Sequence, residues 1–171
     1  LFNPSLTETV PLIGVQFSQG IEFNFTGSAI THLDPAERVL VVRNQAAFES
    51  RYGAGLPIAG TFENDTRLSN SGETIRLEDG VGGVIQEFTY DDGGSWPGRA
   101  DGDGSTLQVL DTNGNYNDPK NWQSSTAFGG TPGSAPIDDL PDIVINEVLA
   151  HTDLPLIDSI ELVNLSGAAI D

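Results

Sequence analysis

Two short stretches, Asp101-Gly-Asp103-Gly-Ser105 and Asp111-Thr-Asn113-Gly-Asn115, carry an oxygen-bearing side chain at every second position. That spacing lets a loop curl around a hard cation taking roughly six to eight oxygen ligands. Asp101, Asp103, Ser105, Asp111, Asn113 and Asn115 are therefore the candidate calcium ligands, and calcium is the one cofactor the sequence suggests. Neither stretch is an EF-hand. The sixth position is Thr106 or Tyr116 where that loop needs Gly, and the twelfth is Thr112 or Trp122 where it needs Glu. Asp-Gly and Asn-Gly pairs also make ordinary hairpin turns with solvated acids, so both readings stand.

Other chemistry finds little support. The two histidines, His32 and His151, are far apart in sequence. His151 stands near Glu147 and Asp153, but a solvated loop histidine accounts for it equally well. There is no Ser–His–acid set and no G-x-S-x-G elbow, so nucleophilic hydrolysis is not expected. Gly82-Gly83 is followed by no lysine and helix start, so it is no phosphate loop. Trp96 and Trp122 read either as covers of a sandwich end or as platforms for sugars. The expectation is a protein without catalytic residues.

Composition narrows the partners. Seven Lys plus Arg against 25 Asp plus Glu leave a formal net charge of −18, and Lys120 is the only lysine. Nucleic acid and anionic membrane surfaces are poor partners for such a chain. No apolar run approaches the roughly 20 residues needed to span a bilayer. Cysteine and methionine are absent, which removes thiol catalysis and most structural zinc sites. The chain opens without Met and without a visible signal peptide, as expected of a processed or excerpted chain.

The elements that must position these residues are mostly strands. Twenty Gly and ten Pro, with 37% apolar residues, favour many short strands joined by tight turns around a proper core. Ile13, Val15 and Phe17 alternate with polar neighbours, as do Ile21, Phe23 and Phe25. Val39–Val42 is a continuous apolar run, and further strands are expected at 74–77, 84–90, 106–110, 143–148 and 159–163. One segment differs: Asn44 as N-cap, a run of helix formers and Gly53 predict a short helix with Phe48 and Tyr52 on one face.

Residues 134–141 lie within a Gly/Pro/Ser-rich stretch that reads as a linker. Across it the chain repeats itself: Leu1-Phe-Asn3-Pro-Ser5 matches Leu162-Val-Asn164-Leu-Ser166. The expected organisation is a unit at 1–133, the linker, and a second unit opening at 142–171.

Ile145-Asn-Glu-Val148 followed by Ile160-Glu-Leu-Val-Asn164 resembles the opening strands of a lamin-tail domain. The stretches Leu33–Arg43, Arg51-Tyr-Gly53, Leu68–Leu77, Asn117–Trp122 and Gly130–Gly133 resemble the remainder, in the family's order. The resemblance implies an all-β, immunoglobulin-like β-sandwich with one short helix, of the kind found in secreted bacterial multidomain proteins. It implies that 1–133 is a sandwich lacking its first strands and that 142–171 holds the equivalent strands. Those strands would open a next copy, or complete a sandwich in the same chain or in a neighbouring subunit. Ile143, Ile145, Val148, Ile160 and Leu162 are then the interface residues.

The expected function is a non-enzymatic structural or adhesive module, extracellular or at the cell surface, whose partners are other copies of itself or adjacent repeats. The alternative is a calcium-dependent module binding glycans or protein. No nucleic-acid partner and no membrane insertion are expected.

Overall fold

The computed structural model describes residues 1–135, 143–150 and 157–165. His151 and Ser166, and most of the 134–141 stretch, lie outside them. The chain forms two compact units, Leu1–Pro136 and Ile137–Asp171, and the division falls inside the expected linker. The fold is all-β with one short α-helix.

In the first unit the strands run in the order β1 (Val10–Pro11), β2 (Gln16–Gln19), β3 (Phe23–Asn24), β4 (His32–Leu33), β5 (Leu40–Val42), helix α1 (Gln45–Tyr52), β6 (Ile58–Thr61), β7 (Glu73–Glu78), β8 (Val84–Tyr90), β9 (Leu107–Val109) and β10 (Trp122–Ser124). A four-stranded antiparallel sheet has the order β3-β2-β7-β8. Antiparallel pairs β1–β4 and β9–β10 and a parallel pair β5–β6 complete the set.

The sheet is two-faced, as strand alternation requires. On the outer face of β7–β8, Arg76 stands opposite Glu87 at 3.4 Å, and the Thr74 and Thr89 hydroxyls meet at 2.8 Å. On the inner face Ile75 opposes Phe88 and Leu77 opposes Gln86. Leu12, Val15, Phe23, Phe25, Leu33, Val39, Ala59 and Leu77 form the buried core. Phe25 is fully buried and meets Phe23 edge to face at 4.8 Å, a favoured aromatic geometry. Gly60 is required beneath that pair, since a Cβ there would come within 2.7 Å of the Phe23 ring.

The helix forms where the sequence predicts it. The Asn44 side chain accepts from the Ala47 amide, and the Gly53 amide closes the last turn on Glu49 at positive φ. Its place in the topology explains its presence: parallel strands such as β5 and β6 need a crossover, and α1 is that crossover.

Two expectations are corrected. Ile13 does not begin a half-buried strand; it sits exposed in a turn with Gly14 at φ +85°, and the strand starts at Gln16. Gly14 passes so close to Gly80 that a side chain would meet it at 2.9 Å, which forces the turn. Phe25 does not extend its strand either. It opens a 3-10 turn capped by the Asn24 side chain, which accepts from Thr26.

The described part of the second unit is one antiparallel hairpin, β11 (Ile143–Leu149) with β12 (Ser159–Asn164).

Candidate functional site

The candidate calcium loops are held by their own backbone. The carboxylate of Asp111 accepts from the Asn113 amide, and the Asn115 side-chain carbonyl accepts from the Asn117 amide, both as Asx turns. The Ser105 hydroxyl donates to the Ser125 carbonyl. Asp101 and Asp103 lie on an exposed bend after a 3-10 turn at Gly98–Ala100. Among the described residues, no three acidic or histidine side chains converge in a way that would hold a metal ion.

The two tryptophans join an aromatic cluster. Trp122 packs on Phe88 at 5.3 Å, on Tyr116 edge to face at 5.6 Å and on Trp96 at 5.8 Å, and its indole N–H donates to the Tyr116 carbonyl. Burial, and next the nearby Asp111 charge, push the Tyr116 phenol up from its ordinary pKa. Tyr90 donates to the Ser69 carbonyl and to Glu73; burial first, and then the Glu73 carboxylate, push it up as well.

A chain of open apolar spaces runs through the first unit. One, of about 430 Å³, lies beside Leu1 and is lined by Phe17, Leu77, Ile85, Phe88 and Val109. A second of about 430 Å³ adjoins it at Leu1 and Val109 and separates Val39–Leu40 from Thr106–Val109. A third, about 590 Å³, continues past Leu107 and Phe88 to Tyr90, Trp122 and Asp101. Both β5 and β9 have one paired edge and one edge carrying no strand among the described residues.

The hairpin of the second unit complements this description. Ile145 faces Leu162 and Val148 faces Ile160, and Ile143 belongs to the same face, opposite Asn164. These five side chains are 45 to 64% exposed. The other face carries Glu147 opposite Glu161, with the Asn146 amide donating to Glu161, and the half-buried Val144–Val163 pair. The five expected interface residues thus share one apolar face. The bulge that brings them together has no signal in the sequence beyond the misfit of Val148 to strict alternation.

Comparison with family models, with curated proteins and with solved structures finds no match. Among the described residues no helix is long and apolar enough to cross a membrane.

Proposed function

We propose that this chain is a non-enzymatic, extracellular structural module of lamin-tail type, whose copies join head to tail. One copy donates the β11–β12 hairpin to the open sandwich of the next. The observation that carries this reading is the apolar face of Ile143, Ile145, Val148, Ile160 and Leu162, presented by a hairpin whose strands have no third partner among the described residues. An isolated two-stranded hairpin is marginal in water, and burying each such side chain contributes about 1.5–3 kcal/mol. The apolar spaces beside Leu1, between strands with open edges, are the complementary feature. Strand donation repeated with the same geometry gives an open linear assembly. The extracellular setting rests on the lamin-tail resemblance and on the acidic composition.

The test is light scattering across a concentration series, with negative-stain microscopy. Species that lengthen with concentration, and that Leu162→Asp removes, are expected. A monomer at every concentration overturns the reading.

A second reading, capture of a glycan, is supported by the 590 Å³ space where Tyr90 and Trp122 stand beside Asp91, Asp92 and Asp101. Binding on a glycan array that Trp122→Ala abolishes would favour it.

A further inference from the structure

We propose that β12 of one copy adds to β5 of a second copy as an antiparallel strand, in the register that sets Glu161 against Leu40, and takes the seat held by Leu1–Asn3. The inference rests on the hairpin-donation reading and adds the acceptor edge and the register.

The seat is defined by a short ladder. The Leu1 amine donates to the Val39 carbonyl at 2.7 Å, and the Val39 amide donates back to Leu1 at 2.9 Å. The Asn3 amide donates to Glu37, and Phe2 bridges Arg38 in antiparallel sense. Strand β5 continues directly from Val39 along the same edge. By the alternation of strand backbone, Val41 points its amide and carbonyl to the side on which Val39 meets Leu1.

The chain carries the seated motif twice. Leu162-Val-Asn164 repeats Leu1-Phe-Asn3. Laying the second copy on the first puts Leu162 opposite Val39, Ile160 opposite Val41 and Asp158 opposite Arg43.

Three independent features agree with that register. Val39 is fully buried and Val41 packs on the core, so Leu162 and Ile160, directly across from them, project into the sandwich. A slip of one residue would instead drive Glu161 into the apolar space. Asp158 meets the opposite charge of Arg43, a side chain that is 57% exposed. Asn164 falls where Asn3, almost fully buried, donates its side-chain amide to the carbonyls of Glu8, Leu33 and Asp34. Like replaces like at Leu1–Asn3, so the net drive is the added pairing along Val41–Arg43 and the burial of the apolar face.

The chain has no cysteine, so an engineered pair gives a clean readout. In the proposed register Leu40 and Glu161 are a non-hydrogen-bonded antiparallel pair, about 4.5 Å apart at Cα and within disulfide reach. The double variant Leu40→Cys, Glu161→Cys, oxidised at assembling concentration, is expected to give a ladder of covalent oligomers that collapses on reduction. The slipped pair Leu40→Cys, Ile160→Cys is expected to give none, with unchanged melting confirming that both variants fold. Assembly without the Glu161 ladder, or an equal ladder from the slipped pair, overturns the register while sparing hairpin donation. Absence of any assembly overturns both, and so does a disulfide confined to the monomer. Deleting residues 1–5 vacates the seat and is expected to speed growth; slower growth overturns the displacement.

Discussion

Ile145 and Val148 are three residues apart and yet project from the same face of the β11–β12 hairpin. In a regular strand they would oppose each other. A bulge sets both Asn146 and Glu147 against Glu161, absorbs one residue and returns Val148 to the face of Ile145 and Leu162.

Charge on that face should therefore act differently from charge on the other. Val148→Glu is expected to abolish concentration-dependent assembly, whereas Glu147→Gln, on the opposite face, leaves it intact. Sedimentation velocity of the two variants at matched concentration checks this.

Removing the centre of the first unit's core should be severe. Phe25 is fully buried against Phe23 and Phe17, so Phe25→Ala is expected to cost about 3–5 kcal/mol, read as a lowered urea midpoint at unchanged slope.

Asn3 has a similar weight for a polar reason. Asn3→Ala strips an amide donor from the carbonyls of Glu8, Leu33 and Asp34, and is expected to cost about 2–3 kcal/mol. Asn3→Asp should be no better, since a carboxylate has no N–H to offer them. Denaturant melts of both variants test this.

A protein beginning at Leu1 should lose stability in mild acid. Burial, and next the Arg38 charge, lower the amine from 8.0 to about 6. Between those values the unfolded chain holds a proton that the folded one lacks, so stability is highest above pH 8 and falls as pH drops to 6. The loss amounts to at most about 3 kcal/mol. N-terminal acetylation should flatten this part of the melting-versus-pH profile.

The acidic loops close on their own amides, so millimolar calcium is expected to move the thermal midpoint no further than sodium chloride of equal ionic strength. A larger rise specific to calcium, lost in Asp111→Asn, would instead assign Asp111 to a cation.

What could be read from the sequence was what is local. The helix was legible because its caps, Asn44 and Gly53, sit at its own ends. Strands β7, β8, β11 and β12 were legible because their alternation runs over six or seven residues. The two-residue strands β1, β3 and β4 are too short to carry a period. Pairing of β5 with β6 depends on a crossover that composition does not encode. The five hairpin residues were legible as a set, because apolar residues at those positions leave one face without a partner. Their complement was not: the space beside Leu1 is walled by Phe17, Leu77, Phe88 and Val109, which only the fold assembles.

The pocket that seats Asn3 has a kinetic consequence. It accepts a motif that the chain carries at two places, one of them tethered beside it. The tethered copy acts at high effective concentration and serves as a built-in competitor against the incoming one. Growth by exchange would then be slow in dilute solution and would rise above a threshold of protein concentration, with Leu1–Asn3 acting as the brake.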